Sequence, residues 1–182
     1  VYLQPLYANP TGTVLAPECC AAVLDRAKRA GAFVIEDDYA RDLHFTGPTP
    51  PPLVSQGEGR VIYLRSLTKV IAAGLRIAAL IAHGPVLQRL KEARAVEDFF
   101  PAALQQEVAL NVLTSCGWGA HLLQLQEALR DRQGVALRAL ADFCPQVRVE
   151  DVPQGGFVLW LRLPEGSGAD EFASQALRAG VQ

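Results

Sequence analysis

Short apolar runs and helical patterns alternate through the first half of the chain. Apolar runs rich in Ile, Leu and Val predict strands at residues 1–7, 32–38, 60–66 and 75–82. Val23, Leu24 and Ala27 lie at helical spacing and predict a helix over about residues 17–30, which begins at a proline and ends at Gly31. Strands that alternate with a helix and turns indicate an α/β fold with a mostly parallel sheet.

Helical patterns dominate the second half. They predict helices over residues 84–100, 104–116, 120–143 and 169–180. Two strands, at residues 147–152 and 156–164, are predicted around a Pro-Gln-Gly-Gly turn. This change of pattern predicts a domain boundary near residue 99, with an α/β domain at residues 1–98 and a smaller α+β domain at residues 99–182.

The composition fits a globular protein and excludes several classes. Half of the 182 residues are hydrophobic and the net charge is -2, so the chain can bury a substantial core and lacks the basic character of a nucleic-acid-binding surface. No apolar run reaches the roughly 20 residues of a membrane-spanning helix, and the start does not resemble a signal peptide, which predicts a cytoplasmic protein without a membrane partner. The cysteines have no metal-ligand spacing, so no metal site is predicted. The chain contains no methionine, and we expect it to be a fragment of a longer protein.

The segment LRSLTKVIAAGLRIAAL, residues 64 to 80, places a single lysine, Lys69, among small and apolar residues. Between Leu67 and Val70 the lysine amine would be desolvated. Desolvation lowers the pKa of a lysine and so favours the neutral form that attacks carbonyls. Such a lysine can form a Schiff base. A surface lysine whose stem lies along a turn is the alternative interpretation.

Polar residues are expected near the carboxyl ends of the first two strands, where parallel sheets bind ligands. Asp37 ends the second predicted strand, and strand alternation puts Asp37 and Tyr39 on one side with Glu36 and Asp38 on the other. Asp37 could pair with a cationic ring nitrogen, and Tyr39 could face the same ligand. Asn9 follows the first strand. The acids could equally be a solvated strand end, and Asn9 an ordinary turn residue.

Arg76 stands at the start of a very apolar predicted strand, where a buried guanidinium would need an anion such as phosphate. Ser66 could add a hydroxyl donor to the same anion. Together the candidates supply an amine, a carboxylate for a ring nitrogen, phenol and amide donors for a ring oxygen, and a serine with an arginine for a phosphate. These are the groups that pyridoxal 5'-phosphate requires.

Four ordered motifs, YANPTG (7–12), VIEDDY (34–39), SLTK (66–69) and GLRIAAL (74–80), resemble the fold-type I aminotransferases of class I and II, which use pyridoxal phosphate. The EDDY block and the later LQQEVAL and GGFVLWLRLP segments most resemble the aminotransferase-like domain of MocR regulators in the GntR family. The resemblance runs over nearly all of the chain. It implies a PLP-dependent transferase fold of the aspartate aminotransferase type, with part of the large domain at residues 1–98 and a truncated small domain at residues 99–182.

The resemblance also implies a role for each candidate residue. Lys69 would hold the cofactor as a Schiff base and, in an active transaminase, would move the α-proton. Asp37 would pair with the pyridine nitrogen. Tyr39 and Asn9 would hydrogen-bond the ring 3-hydroxyl. Ser66 and Arg76 would bind the phosphate.

Two functions follow from the resemblance, and a third stays open. The first is the effector domain of a MocR/GntR-type transcriptional regulator that binds pyridoxal phosphate and senses an amino acid or related small amine, with DNA bound only through a winged-helix domain upstream of this chain. The second is a free-standing class I/II aminotransferase, which transfers an amino group between an amino acid and a 2-oxo acid. Both imply a homodimer. The third is a degenerate domain that has lost the cofactor and serves as a dimerisation module.

Overall fold

A four-stranded sheet forms the centre of the first half of the molecule. The computed structural model describes residues 1–97, 100 and 102–181. The strands are β1 (Tyr2–Leu3), β2 (Val34–Asp37), β3 (Val61–Ser66) and β4 (Ala78–Ile81), and they lie side by side in that order. The first three strands run parallel and β4 runs antiparallel to β3. We call residues 1–83 the sheet region.

Helix α1 (Pro17–Arg29) connects β1 to β2 and covers one face of the sheet. A proline in its first turn suits the start of a helix, because the missing N–H would have no partner there. Gly31, with φ +64, takes the left-handed conformation that ends the helix. Ala27 of α1 packs with Val34, Leu53 and Val61 in the first of two apolar clusters.

The second half is mainly helical, and we call residues 85–181 the helical region. It contains α2 (Pro85–Glu97), α3 (Ala103–Thr114), α4 (Trp118–Phe143), the antiparallel pair β5 (Arg148–Val149) and β6 (Leu161–Arg162), and α5 (Ala169–Arg178). Among the described residues of these helices, Ala109 alone is buried. No helix in the described part of the chain is both long and apolar enough to cross a membrane.

The second apolar cluster joins the two regions at the carboxyl ends of the parallel strands. Its buried members are Leu6, Tyr7, Tyr39, Ala40, Leu43, Leu67, Val70, Leu75 and Ala109. Leu122, Leu125 and Leu129 of α4 pack against this cluster from the helical region. Helix α4 therefore lies over the end of the sheet at which the candidate residues were predicted.

The sheet differs from the prediction at its last strand. The predicted strand 75–82 is shortened to β4, all four residues of β4 are exposed, and the sheet is mixed because β4 is antiparallel. Residues 73–75 instead form a short 3-10 helix, which includes Leu75, the first residue of the predicted strand. The predicted domain boundary at residues 98 and 99 lies outside the described residues.

The Pro-Gln-Gly-Gly segment is not a tight hairpin turn. Arg148 pairs with Arg162, so the connection between β5 and β6 is much longer than the predicted turn. Gly155 instead forms an isolated antiparallel bridge with His44. A side chain at Gly155 would overlap the Tyr7 ring, so close backbone approach, rather than turn geometry, accounts for this glycine.

Candidate functional site

Asp37 is the last residue of β2, and its carboxylate is fixed by two neighbours from the start of the chain. Its Oδ2 accepts hydrogen bonds from the Tyr2 hydroxyl at 2.6 Å and from Gln4 Nε2 at 2.9 Å. The hydrogen bond to Asp37 raises the pKa of Tyr2, because the phenol proton is held by a carboxylate. Within the described residues no hydrogen bond reaches Asp37 Oδ1. The carboxylate is thus oriented and keeps an oxygen for another donor.

The two acids that flank Asp37 are structural. Glu36 is fully buried and accepts the backbone N–H groups of Leu53 and Val54, both at 2.9 Å. Burial raises the pKa of Glu36, and these two hydrogen bonds oppose that rise. Asp38 is also fully buried and is bound by other residues of the sheet region. The three acids alternate as predicted, with Asp37 half-buried between two buried neighbours. Tyr39, which was predicted on the same side as Asp37, is buried.

Asp38 is held by a cation and a phenol. It accepts hydrogen bonds from Arg41 Nε at 2.5 Å and from the Tyr63 hydroxyl at 2.9 Å, both on its Oδ2. Its other oxygen is buried without a partner in the described structure. Burial, together with the charge of Asp38, raises the pKa of Tyr63 to about 12. These contacts make the end of β2 a rigid base for Asp37.

Tyr39 lies just beyond Asp37 and is almost completely buried. Its hydroxyl donates to the Tyr7 carbonyl oxygen at 2.5 Å. Burial raises the pKa of Tyr39, and the nearby Asp37 charge adds to the rise. The phenol is therefore neutral at physiological pH, and its oxygen can still accept a hydrogen bond.

Lys69 lies on the turn between β3 and the 3-10 helix at residues 73–75. The prediction that its amine is desolvated is wrong for this structure: Leu67 and Val70 are buried beside it, while Lys69 itself is exposed. Lys69 Nζ lies 5.4 Å from the centroid of the Phe157 ring, over its face. Thr68 and Lys69 lie on the outer side of this turn, between the buried Leu67 and Val70.

Ser66 and Arg76 flank the lysine turn. Ser66 ends β3, is half-buried, and its Oγ accepts the Thr68 backbone N–H at 3.3 Å. Arg76 follows the 3-10 helix with φ +52, a left-handed conformation. The prediction of a buried guanidinium on an apolar strand is wrong, because Arg76 precedes β4 and is exposed. Arg76 lines an open cavity together with Gln105 of α3.

Asn9 is exposed in the turn that follows β1. Its backbone N–H donates to Gln4 Oε1 at 2.9 Å, and the amide group of Gln4 in turn donates to Asp37. No hydrogen bond of the Asn9 side chain is found in the described part of the chain. Gln4 therefore links the Asn9 turn to Asp37, a connection that was not predicted from the sequence.

Four of the six candidates fall into two contact groups at the carboxyl end of the sheet; in the described structure Ser66 and Arg76 belong to neither. Asn9, Gln4, Asp37 and Tyr2 are connected by hydrogen bonds. Tyr39 and Lys69 are brought together by Phe157, which touches both. Neither Tyr2 nor Phe157 was singled out from the sequence. Tyr2 could have been found from its position on the predicted strand before β2. Phe157 could have been found because it directly follows a pair of glycines.

The residues fit pyridoxal phosphate. The structure offers an exposed amine at Lys69, a fixed carboxylate with an unused oxygen at Asp37, and an exposed guanidinium at Arg76. Amine, carboxylate and guanidinium are the donor set expected for an aldehyde, a protonated ring nitrogen and a phosphate.

The fold and the sequence both identify the class of protein. Residues 7–181 match the family described as aminotransferase class I and II. The chain belongs to this family, and the predicted PLP-dependent transferase fold is confirmed.

Relatives of two kinds are similar to this chain. The HTH-type transcriptional regulator NorG of Staphylococcus aureus is 30% identical over 161 residues, which cover 88% of this chain and 36% of NorG. LysN, an α-aminoadipate aminotransferase of Thermus thermophilus solved with N-(5'-phosphopyridoxyl)-L-leucine, superposes with a TM-score of 0.90 at 31% identity, over 99% of this chain and 47% of LysN. A Pyrococcus horikoshii kynurenine aminotransferase in complex with PMP superposes with a TM-score of 0.91 at 27% identity, over 100% of this chain and 45% of that enzyme.

These relatives confirm the predicted resemblance to aminotransferases and to their regulator homologues. Pyridoxal phosphate, the predicted cofactor, is supported at the level of the family and by the two complexes. The chain spans less than half the length of each of the three relatives.

Proposed function

We propose that this chain is the lysine-bearing part of the aminotransferase-like effector domain of a MocR/GntR-type transcriptional regulator, and that it binds pyridoxal phosphate through Lys69. The observation that carries the proposal is that Lys69 and Asp37 both lie at the carboxyl end of the parallel strands. Each reaches the surface near the carboxyl end of one of two adjacent parallel strands, whereas Glu36 and Asp38 beside Asp37, and Val70 beside Lys69, are buried. Exposed functional groups at this edge of a parallel sheet are typical of ligand sites.

When bound, pyridoxal phosphate supplies an aldehyde and an electron-withdrawing ring. Lys69 would hold the aldehyde carbon covalently, and Asp37 would hold a proton on the ring nitrogen by its negative charge. Ser66 and Arg76 would bind the phosphate, the arginine through charge-assisted hydrogen bonds. Asn9 and Tyr39 would bind the ring hydroxyl.

Two residues that were not predicted would assist Asp37. Tyr2 and Gln4 both donate to its Oδ2, so the carboxylate is held in one orientation before a ligand arrives. Such preorganisation avoids the loss of side-chain freedom on binding. Tyr39 would either accept a hydrogen bond from the ring hydroxyl or leave the Tyr7 carbonyl to donate one.

The regulator is favoured over the free-standing aminotransferase by the similarity to NorG, an HTH-type transcriptional regulator. LysN favours the alternative, an enzyme that transfers an amino group between an amino acid and a 2-oxo acid. In either case the ligand would be an amino acid or a related small amine, and the full protein would be a cytoplasmic homodimer. In the regulator, DNA would be bound by a domain outside these residues.

Reductive trapping tests the cofactor proposal. The full-length gene product is incubated with pyridoxal phosphate, reduced with borohydride, and digested for mass spectrometry. We expect the phosphopyridoxyl group on Lys69, its loss in Lys69→Ala, and its retention in Lys28→Ala, whose exposed amine is paired with Glu58. A folded protein without label at Lys69 would contradict the proposal and favour the dimerisation module.

Two assays then separate regulator from enzyme. A regulator should bind its promoter DNA with an affinity that changes when an amino acid is added, and should show little amino-group turnover. A free-standing aminotransferase should convert a 2-oxo acid into an amino acid over many turnovers without binding DNA.

A further inference from the structure

Phe157, in the helical region, contacts the candidate lysine. Lys69 Nζ lies over the face of the Phe157 ring, 5.4 Å from its centroid. The same ring meets Tyr39 edge-on, with centroids 5.8 Å apart and planes inclined by 68°. One aromatic side chain therefore contacts both the amine and the phenol assigned above to the cofactor.

The backbone that carries Phe157 is pinned to the sheet region. The Gln154 carbonyl oxygen accepts hydrogen bonds from the Tyr7 hydroxyl and from the Phe45 N–H, both at 2.9 Å. The Gly156 N–H donates to the Leu43 carbonyl at 2.9 Å. Because these contacts come immediately before Phe157, the backbone that carries the ring is held against the sheet region.

The glycine pair makes this approach possible. A side chain on Gly155 would overlap the Tyr7 ring, and Gly156 has φ +73, which favours glycine. The backbone can thus lie directly on Tyr7, with Phe157 as the first side chain beyond the contact.

We propose that Phe157 is a positioning residue that holds the Lys69 amine in place for the cofactor. This proposal rests on the proposed function of Lys69. A lysine side chain has a flexible four-carbon stem, and an exposed lysine samples many rotamers. The aromatic face attracts the ammonium and selects the rotamers that keep it at the sheet edge. When the ammonium gives its proton to water, the neutral amine that attacks an aldehyde is already at this position. The edge contact with Tyr39 fixes the ring plane at the same time.

Apolar packing alone does not account for this ring. Phe157 is 44% exposed, so it buries only part of its surface, and one of its faces is occupied by a cation. A leucine would fill similar space without the electron-rich face that attracts an ammonium. The variants Phe157→Leu and Phe157→Tyr therefore separate packing from the aromatic contact.

The contact can be tested without the cofactor. The full-length gene product is reductively methylated with carbon-13 formaldehyde, and the Lys69 methyl resonance is assigned by its loss in Lys69→Arg. Protons above an aromatic face are shielded, so we expect this resonance upfield of that of Lys28. Phe157→Leu should remove the displacement, and Phe157→Tyr should keep it. An identical Lys69 resonance in wild type and Phe157→Leu would overturn the proposal.

The consequence for the cofactor is measured by the rate of trapping at Lys69 and by the visible circular dichroism of the bound group. A cation–aromatic contact at an exposed site is worth about 0.5–1 kcal/mol, which corresponds to about two- to fivefold slower trapping in Phe157→Leu. The dichroism band should weaken as well, whereas Phe157→Tyr should restore both, and the urea midpoint serves as a control for folding.

Failure of this proposal is distinguishable from failure of the proposed function. If wild type is labelled at Lys69 and Phe157→Leu matches it in rate and dichroism, Phe157 is not a positioning residue and the cofactor proposal stands. If wild type is not labelled at Lys69, both proposals are overturned.

Discussion

The sheet region and the helical region are built in different ways. Nearly all of the buried apolar side chains belong to the sheet region, as do the two fully buried acids; among the described residues the helical region adds only Ala109 and Val147 to the buried hydrophobic set. Many large apolar side chains of the helical region are exposed, Leu123 by 62% and Phe143 by 82%. The sheet region is thus stabilised mainly by its own buried core, whereas the helical region depends on its contacts with other parts of the protein.

The contacts between the regions reflect this difference. Gln126 Nε2 of α4 donates to the Asp42 carbonyl at 2.9 Å, and His121 Nε2 contacts the Val70 carbonyl oxygen at 2.7 Å. Side chains of the helical region therefore reach backbone atoms of the sheet region. The proposed cofactor groups lie in the sheet region, and the helical region supplies the aromatic ring that positions one of them.

Truncating a leucine in each region should give the largest contrast. Leu43→Ala removes a side chain that is 1% exposed and should lower the free energy of unfolding by about 2–5 kcal/mol, through lost burial and the cavity left behind. Leu123→Ala should change it by less than about 0.5 kcal/mol, since that side chain is mostly in water. Urea denaturation of the full-length protein measures both. A large loss at Leu123 would show that another part of the protein covers this face.

A side chain added at the junction should have the next largest effect. Gly155→Ala places a methyl group against Tyr7 and should destabilise the protein by about 1–3 kcal/mol. Gly119→Ala is the matched control in α4, where nothing lies within 4 Å of the added carbon, and it should stabilise by about 0.5–1 kcal/mol because alanine favours the helix. If both substitutions left the free energy of unfolding nearly unchanged, the two regions would not be joined at Gly155.

Alkaline pH should weaken the sheet region through its buried phenols. Burial raises the pKa of Tyr7 and of Tyr63 to about 12 from an ordinary value of 10.0. The unfolded chain therefore loses these protons at a lower pH than the folded chain, so stability is complete below about pH 10 and falls as pH rises toward 12. Tyr63→Phe should make this fall shallower and cost about 1 kcal/mol at neutral pH, because Asp38 loses a hydrogen bond. Urea midpoints across this range measure the slope, and an unchanged slope would contradict the assignment.

The sequence was informative where local pattern decides the outcome. The helix at residues 17–30 and the strands at residues 32–38 and 60–66 were predicted close to their observed bounds, because proline, glycine and period-two patterns act over a few residues. The alternation that exposes Asp37 followed from strand geometry alone. The family motifs lie mostly in this part of the chain.

The remaining features depend on contacts between distant residues. Nothing in the run at residues 75–82 distinguishes a buried strand from β4, whose apolar residues are exposed. Lys69 is exposed because of the way in which its turn faces. Its hydrophobic neighbours in sequence had instead predicted a desolvated amine. The role of the glycine pair is visible only after Tyr7, about 150 residues earlier, is in place.

The proline-rich loop between β2 and β3 is tied down at both of its ends. Arg41, already bound to Asp38, also donates to the Pro50 carbonyl, and Glu36 holds the backbone of Leu53 and Val54. Between these anchors, residues 46–48 are exposed. Extra length there would extend into solvent without altering the strands on either side. An affinity tag or a fluorophore inserted between Gly47 and Pro48 would extend into solvent and would leave in place Phe45, whose N–H donates to the Gln154 carbonyl.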